Sequence, residues 1–254
     1  MELEGKVCLV TGASKGLGRA IAQAFSQEGA RVAINGRNDQ DLAKLAEELQ
    51  GKGRDVLIAK ADVSQSEEVK QMVDLIVKRF GRIDVLVNNA GGAMYTTHIF
   101  MELTEAEWDK VVNTNLKGAF LCCKAVVPHM LQQGTGKIIN MSSLAGRASG
   151  RLAGIQYSSS KAGLQGLTRH LALELGPSGI TTNAIAPGII FSDRVRKLYE
   201  SRSEEDKRKM VAGTPVGRMG EPEEVAALAV FLASSKADYI NGATIDINGG
   251  AYMS

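Results

Sequence analysis

The chain has 254 residues, of which 44% are hydrophobic, and it carries a formal net charge of +2. This small charge gives no case for a nucleic-acid partner or a membrane surface, and no apolar stretch is long enough to cross a bilayer. No linker, repeat or block of charge divides the sequence, so we expect a single α/β domain over residues 1–254. Charged residues precede the first apolar run, which argues against a signal peptide and favours a cytoplasmic protein.

The first predicted element is a buried strand at residues 6–11, and a glycine-rich turn follows it at residues 12–18, GASKGLG. A helix is predicted from residue 19 to residue 25. Such a turn lays a pyrophosphate on the N-terminus of the helix, where unpaired N–H groups and the helix dipole favour negative charge. The spacing is G-x-x-x-G-x-G, which differs from the usual dinucleotide fingerprint. A glycine-rich turn that binds no ligand is the alternative.

Cations near the turn bear on which dinucleotide would bind. About twenty residues past the turn, an acid would bind the ribose of NAD, whereas an arginine accommodates the 2′-phosphate of NADP. This chain has Arg37 in that region, and Lys15 adds a second cation within the turn. We therefore predict NADP(H) as the cofactor, with ordinary solvated surface charges as the alternative interpretation. Asp39 and Asp41 are predicted to begin the next helix, where the dipole favours acids.

The rest of the chain alternates strands with helices. Further strands are predicted near residues 31–35, 55–59, 83–87, 137–141, 180–185 and 244–247, with long helices at 105–132 and 157–175. This pattern predicts a Rossmann-like, doubly wound sheet of about seven parallel strands with helices on both faces, and ligands bound beyond the carboxyl ends of the strands. The polar segment 192–214 is predicted to be a mobile lid over the substrate, with a plain pair of surface helices as the alternative.

Tyr157 and Lys161 are four residues apart in a predicted helix, so they lie on one face of it. A nearby cation favours the phenolate over the phenol, so this tyrosine is predicted to exchange a proton with a carbonyl oxygen or an alcohol. The pair alone is a weak signal, because a tyrosine and a lysine with this spacing are common by chance.

No metal site is expected. The three cysteines, Cys8, Cys122 and Cys123, have neither disulfide nor zinc spacing, and the three histidines have no metal-ligand spacing. We interpret the cysteines as small buried hydrophobic residues.

Together these features resemble the short-chain dehydrogenase/reductase family, from about residue 5 to residue 250. Its motifs occur in order: T-G-x-x-x-G-x-G at 11–18, N-N-A-G at 88–91, an asparagine at 115, serines at 142 and 143, the tyrosine and lysine, and Pro-Gly at 187–188. Within the family the chain is most similar to the 3-oxoacyl-thioester reductases, chiefly in its tail from residue 215. The resemblance implies an NADP-dependent oxidoreductase that transfers a hydride between nicotinamide and a ketone or secondary alcohol.

Other functions remain open at this stage. The resemblance also accommodates a dehydrogenase of polyols, sugars or hydroxysteroids. A catalytically silent protein that senses NADP on the same fold is an alternative of a different class, since a fold does not imply a function. The complete set of Asn115, Ser143, Tyr157 and Lys161 favours an enzyme.

The resemblance gives these residues individual roles. Tyr157 would donate the proton, Lys161 would assist it and hold the nicotinamide ribose, Ser143 would donate a hydrogen bond to the carbonyl oxygen, and Asn115 would hold a relay water. Ser142 stays an alternative to Ser143, because the segment between serine and tyrosine is one residue longer than the family usually has. The additional residue fits within 147–150.

The resemblance also implies a cofactor-binding set. The acid that selects NAD would stand at Gly36, which has no side chain, and Asp62 and Val63 would contact the adenine, with a helix cap at Asp62 as the alternative. The whole predicted set is Gly12, Ser14, Lys15, Gly16, Leu17, Gly18, Arg37, Asp62, Val63, Asn89, Ala90, Gly91, Tyr157, Lys161, Pro187, Gly188, Ile190 and Ser192.

The two long helices carry apolar residues beyond what one face of a sheet needs, namely Leu116, Phe120, Leu164, Leu167 and Leu171. A helix with more than one apolar stripe is deeply buried or forms an interface. The resemblance implies that these helices pair in a homotetramer, and completion of the core is the alternative.

The substrate is expected to be a small carbonyl compound, and use of acyl carrier protein is doubtful. Reductases of carrier-bound substrates present basic residues at the mouth of the site, and where those arginines would align this chain has Pro128 and Ser178. Met94 and Tyr95, in a loop two residues longer than usual, are expected to reach the pocket, with simple packing as the alternative. The candidates for an anionic group on the substrate are Arg147, Arg151 and Arg194.

Overall fold

The computed structural model describes residues 1–148 and 153–253, with the backbone alone of residues 193, 194, 197 and 198. In this part of the chain seven parallel strands form one sheet in the order β3-β2-β1-β4-β5-β6-β7. The strands are β1 (Val7–Val10), β2 (Arg31–Ile34), β3 (Val56–Ile58), β4 (Val85–Asn88), β5 (Gly136–Met141), β6 (Ile180–Pro187) and β7 (Thr244–Ile247). The doubly wound sheet predicted from the alternating pattern is confirmed, and each strand begins and ends within about two residues of its predicted position.

Helices cover both faces of the sheet. They are α1 (Gly16–Gln27), α2 (Asp39–Gly51), α3 (Ser66–Phe80), α4 (Glu105–Val112), α5 (Gly118–Gln133), α6 (Ile155–Leu175), α7 (Asp193–Glu200), α8 (Glu204–Val211) and α9 (Pro222–Ala233). In β1, Cys8 and Val10 belong to an apolar cluster with α1 and α9, whereas Val7 and Leu9 belong to a second cluster with α3 and α5. Successive strand residues point to opposite faces, so the central strands must be apolar throughout.

The helix predicted at residues 105–132 is interrupted. A π turn, Asn113–Lys117, joins α4 to α5. Its wider turn shifts the following side chains relative to α4, and Asn115 is buried within it. Apolar periodicity could not reveal this change, because the helical path continues on both sides of the turn.

The segment predicted as a lid contains two short helices, α7 and α8. The rings of Phe191 and Tyr199 pack edge to face with centroids 5.4 Å apart, and the guanidinium of Arg196 lies 4.2 Å from the Phe191 centroid. These contacts agree with the alternative of a surface helix pair, and movement as a lid remains a prediction. None of the helices in the described residues combines the length and the hydrophobicity of a membrane-spanning segment.

A chain of buried polar side chains joins β4, β5 and α6. Asn88 Nδ2 donates to Asn140 Oδ1 at 2.9 Å, and Asn140 Nδ2 donates to Thr168 Oγ1 at 2.9 Å. Thr168 in turn donates to the carbonyl of Leu164 at 2.7 Å. Since buried polar groups are costly when unpaired, these bonds fix the three elements that carry the N-N-A-G turn, the serine pair and the tyrosine–lysine pair.

We predict that Asn140→Ala lowers the free energy of unfolding by about 2–4 kcal/mol, because it opens a cavity and removes the partners of Asn88 and Thr168. Thr182→Val is the matched control: the hydroxyl of Thr182 is buried and has no hydrogen-bond partner in the described chain. Its removal should leave stability unchanged or slightly higher. Urea unfolding measures both, and equal effects of the two substitutions would contradict the role given to the network.

Candidate active site

A cleft of about 490 Å³ opens at the carboxyl edge of the sheet, where the strand order reverses between β1 and β4. Most of the predicted site residues line it: Gly12, Ser14, Lys15, Gly16, Leu17, Arg37, Asp62, Val63, Asn89, Ala90, Gly91, Tyr157, Lys161 and Ser192. The other predicted residues are not part of its described wall: Gly18, Asn115, Ser143, Pro187, Gly188 and Ile190. The cleft therefore lies where a ligand is expected in such a sheet, beyond the carboxyl ends of its strands.

The glycine turn leaves the N-terminus of α1 open toward the cleft. Gly12 and Gly16 have φ angles of 64° and 55°, which favour glycine, and a Cβ at Gly18 would overlap the carbonyl oxygen of Gly12. The first turn of α1 begins at Gly16, and the side chain of the preceding residue, Lys15, makes no capping hydrogen bond to it. A Cβ at Gly16 would meet only Ser192 Cβ, 4.0 Å away. The open N–H groups and the space beside them fit the pyrophosphate of a dinucleotide.

The N-N-A-G turn is hydrogen-bonded to the glycine turn. Asn89 Nδ2 donates to the carbonyls of Thr11 and Gly12 at 2.9 and 3.1 Å, while the Thr11 hydroxyl accepts the N–H groups of Asn89 and Ala90 at 2.9 and 3.0 Å. A Cβ at Gly12 would lie 2.8 Å from Ala90 Cα. The two turns are thus packed as one unit at the base of the cleft.

Asn35, which the sequence analysis did not single out, supports the same turn. It is buried at the end of β2, and its Nδ2 donates to the carbonyls of Ala59 and Ala61 at 2.9 and 3.1 Å. Its Oδ1 accepts the N–H of Gly12 at 3.4 Å. The sequence signal that could have identified Asn35 is its position, since it is a polar residue directly after an apolar strand. A buried polar side chain in such a place requires hydrogen-bond partners.

Each of the two cations predicted to select the cofactor, Lys15 and Arg37, lies next to a carboxylate. Lys15 Nζ lies 2.9 Å from Asp41 Oδ2, and Arg37 Nη1 lies 3.4 Å from Asp62 Oδ2. Both cationic side chains are about 70% exposed, so these ion pairs contribute little to stability. Gly36, which also lines the cleft, offers no carboxylate.

Asp62 forms a turn of its own and is not the cap of α3, which is Gln65. Its Oδ1 accepts the N–H and the hydroxyl of Ser64 at 3.0 and 2.8 Å. Burial opposes ionisation of Asp62, but the bonds from Ser64 and the neighbouring Arg37 outweigh it and hold the pKa of this carboxyl below its ordinary value. Asp62 therefore stays ionised beside Arg37.

Tyr157 and Lys161 lie on the cleft-facing side of α6, as their spacing predicted. Lys161 Nζ is 5.6 Å from the centroid of the Tyr157 ring and donates to the carbonyl of Met141 at 2.6 Å. The lysine is 4% exposed, and this burial lowers its pKa from 10.5 to about 8. A lysine in this state places a desolvated positive charge beside the phenol at neutral pH.

The two serines differ in their hydrogen bonds. Ser142 lines the cleft, but its buried hydroxyl donates to the carbonyl of Lys161 at 2.9 Å and accepts Gln165 Nε2 at 3.1 Å. Ser143 precedes a 3-10 turn, Leu144–Gly146, and its hydroxyl accepts the N–H of Ala145 at 3.1 Å. Ser142 thus supports α6, whereas the Ser143 hydroxyl donates no hydrogen bond to another described residue.

Asn115 holds the chain that leaves the N-N-A-G turn. Its Nδ2 donates to the carbonyls of Gly92 and Val111 at 3.0 and 2.9 Å, and its Oδ1 accepts the N–H of Gly92 at 3.0 Å. A Cβ at Gly91 would overlap the side-chain amide of Asn115. The side chain is therefore engaged in fixing the loop.

Of the residues expected to meet substrate, Met94 lines the cleft and Tyr95 is 87% exposed. Arg147 Nη2 is bound to Asp246 Oδ2 at 2.9 Å and its guanidinium packs on the Tyr252 ring, which opposes its predicted role with an anionic substrate group. Two other predictions for this region, Arg151 and the side chain of Arg194, fall outside the described residues, and so does the second half of the insertion predicted within 147–150.

Residues 12–252 match the family model described as enoyl-(acyl carrier protein) reductase. A 3-oxoacyl-[acyl-carrier-protein] reductase, FabG, of Staphylococcus epidermidis is 45% identical over 98% of this chain and 99% of its own length. The chain belongs to the short-chain dehydrogenase/reductase family. The family predicted from the motifs is confirmed, and the protein is accordingly a nicotinamide-dependent oxidoreductase.

Two further members of the family are similar along nearly their whole length. The (2S)-[(R)-hydroxy(phenyl)methyl]succinyl-CoA dehydrogenase subunit BbsD of Thauera aromatica is 38% identical over 98% of this chain and 98% of its own. The crystal structure of a 3-oxoacyl-[acyl-carrier protein] reductase from Brucella melitensis superposes with a TM-score of 0.92 at 36% identity, covering 100% of this chain and 93% of the other.

The buried Lys161 should have a measurable effect on stability. Because the folded protein releases this proton at about pH 8 and the unfolded chain only near 10.5, the free energy of unfolding should rise with pH between these values. Lys161→Met removes the group, so its stability relative to wild type should fall by about 2–3 kcal/mol from pH 7 to the upper end of this range. Urea unfolding across the range tests this, with Lys44→Met, an exposed lysine of α2, as the control. A parallel pH dependence of wild type and Lys161→Met would refute the prediction.

Proposed function

We propose that the protein is a cytoplasmic, NADPH-dependent reductase of 3-oxoacyl thioesters. The observation that carries this is the arrangement of Tyr157 and Lys161 in one cleft whose wall also contains an open helix N-terminus and two cations, Lys15 and Arg37. Relatives at 38–45% identity are named for thioester substrates, on acyl carrier protein or on coenzyme A. A complete set of catalytic groups also argues against a protein that only senses the cofactor.

The chemistry divides between cofactor and protein. When bound, the nicotinamide supplies the hydride to the carbonyl carbon. Tyr157 then donates its phenolic proton to the carbonyl oxygen, and the buried cation of Lys161 stabilises the phenolate that remains. The Ser143 hydroxyl donates a hydrogen bond to the same oxygen as negative charge develops on it. The relay water assigned to Asn115 would bind beside a side chain that is already paired with Gly92 and Val111.

The choice of NADPH rests on charge at the adenosine end. Lys15 and Arg37 would leave their exposed ion pairs with Asp41 and Asp62 and bind the 2′-phosphate, which offers stronger, charge-assisted hydrogen bonds. At Gly36 no carboxylate is present to bind the 2′-hydroxyl of NADH.

We expect kcat/KM with NADPH to exceed that with NADH by at least about tenfold, and Arg37→Ala to remove most of this difference by weakening NADPH alone. Arg79→Ala is the matched control, because Arg79 also forms an exposed ion pair with an aspartate, Asp55, outside the cleft. Steady-state kinetics and calorimetric titration with both cofactors measure the effect. Equal use of NADH and NADPH by the wild type would be incompatible with the proposal.

Tyr157→Phe keeps the ring but removes the proton donor, so kcat should fall by about 10²–10⁴-fold while NADPH affinity and Tm hold. Ser143→Ala should also lower kcat with little change in Tm. Ser142→Ala is the matched control: since its hydroxyl binds Lys161 and Gln165, its loss should lower Tm more than Ser143→Ala does. If Ser142→Ala has the larger effect on kcat at unchanged Tm, Ser142 is the catalytic serine.

The doubt about acyl carrier protein is not supported by the comparisons, because close relatives are carrier-protein reductases by name. That doubt was based only on Pro128 and Ser178, which stand where arginines were expected. Docking of an acidic protein depends on the summed field of the surface, and α5 and α6 also carry the exposed residues Lys124, Arg169 and His170. We therefore include the carrier-bound 3-oxoacyl group among the proposed substrates.

One 3-oxoacyl chain presented on coenzyme A and on acyl carrier protein tests this proposal. We expect NADPH oxidation with both, and a higher kcat/KM for the carrier at low ionic strength that declines as salt screens the docking charges. Polyols, sugars and hydroxysteroids with NADP⁺ serve as the comparison set. No turnover of either thioester, together with turnover of an alcohol from that set, would replace the proposed activity with a dehydrogenase of that alcohol.

A homotetramer is the proposed assembly. Phe120 on α5 and Leu173 on α6 are 46% and 79% exposed, so both are accessible to a partner subunit. Leu164, in contrast, is buried within the subunit, and Leu116 packs beside Gly163. The apolar residues expected at an interface therefore divide between the core and the surface.

A further inference from the structure

The loop of residues 92–104 connects the cleft with the surface before α4. Gly92 and Met94 line the cleft, whereas Tyr95, Phe100 and Met101 are 69–87% exposed. The conformation of this loop therefore determines one wall of the space in which a substrate of Tyr157 would lie.

Two residues of the loop are in a strained conformation. Met94 and Tyr95 have φ angles of 53° and 58°, and in the described chain they are the non-glycine residues with positive φ. A side chain on Cβ disfavours this left-handed region, and two such residues in sequence persist only where surrounding contacts hold them. Something outside the turn must therefore oppose its relaxation.

Gln156 supplies that contact. Its side chain is 1% exposed, and its Nε2 donates to Thr96 Oγ1 and to the carbonyl of Thr97, both at 2.8 Å. Thr96 Oγ1 donates to the carbonyl of Ala93 at 2.6 Å and closes the turn around the strained pair. Gln156 directly precedes Tyr157 in α6, so the residue that holds the turn is adjacent to the proposed proton donor.

We propose that Gln156 is a positioning residue for the carbonyl substrate: it holds the strained turn 93–97 so that Met94 forms the cleft wall at a fixed distance from Tyr157. The identity of the substrate rests on the proposed function, but the anchoring of the turn does not. Gln156 itself needs no contact with the reacting atoms, because it acts through the turn.

The contact between Gln156 and the turn can be tested without measuring enzyme activity. Chymotrypsin cleaves after exposed aromatic residues, so Gln156→Leu should increase the rate of cleavage after Tyr95 in the ligand-free protein by about tenfold, because local opening becomes easier. Gln133→Leu is the matched control, because the Gln133 side chain likewise holds a backbone segment outside the cleft: its Nε2 donates to the carbonyl of Ile83 and its Oε1 accepts the N–H of Ile83. It should leave cleavage in the loop unchanged.

The effect on substrate is a split between KM and kcat. Using acetoacetyl-coenzyme A and NADPH, Gln156→Leu should raise KM about tenfold, with kcat within about threefold of wild type and unchanged Kd for NADPH. The milder Thr96→Val should raise KM less. The double variant should raise KM by less than the product of the two single effects, because both substitutions remove the bond between Gln156 and Thr96.

Unchanged loop cleavage and unchanged KM in Gln156→Leu would overturn the proposal. A fall in kcat, a rise in KM and a fall in NADPH affinity by similar factors would also overturn it, because Gln156 would then only support folding. So would effects of Gln156→Leu and Thr96→Val on KM that multiply in the double variant. If the wild type does not reduce acetoacetyl-coenzyme A, the proposed function fails, and the cleavage experiment still decides whether Gln156 holds the turn.

Discussion

Thr11 joins the two turns on which the rest of the cleft depends. Its hydroxyl donates to the carbonyl of Val87 and accepts the N–H groups of Asn89 and Ala90, so the ends of β1 and β4 are held together. Asn89 returns two bonds to the carbonyls of Thr11 and Gly12. Because these backbone groups are paired within the junction, the glycine turn can keep its left-handed conformation and leave the first N–H groups of α1 for a ligand.

The chain that leaves this junction is held at two further points. Asn115 fixes Gly92 from the π turn, and Gln156 fixes the turn at residues 93–97 from the start of α6. The loop that follows the N-N-A-G turn is therefore bonded both to the π turn and to α6, the helix that carries Tyr157. Asn115 donates and accepts at the same time, whereas Gln156 holds its turn by donation from Nε2 alone.

The sequence predicted the sheet because each buried strand must be apolar on both faces, and it predicted the glycine turn because few residues fit that backbone. It did not predict the π turn, which leaves helical periodicity intact on either side. Gln156 was missed because a buried amide has the same sequence signature as an exposed one. The choice between Ser142 and Ser143 depends on which hydroxyl is already hydrogen-bonded within the fold. Sequence alone does not show that the Ser142 hydroxyl is bonded to Lys161 and Gln165.

The ion pair between Arg147 and Asp246 links the turn after Ser143 to the outermost strand. That strand, β7, ends the sheet, and its outer edge has backbone groups that no other strand of the described sheet pairs with. Since Arg147 follows the 3-10 turn that begins after Ser143, the position of this serine is coupled to an edge strand that is not part of the described wall of the cleft.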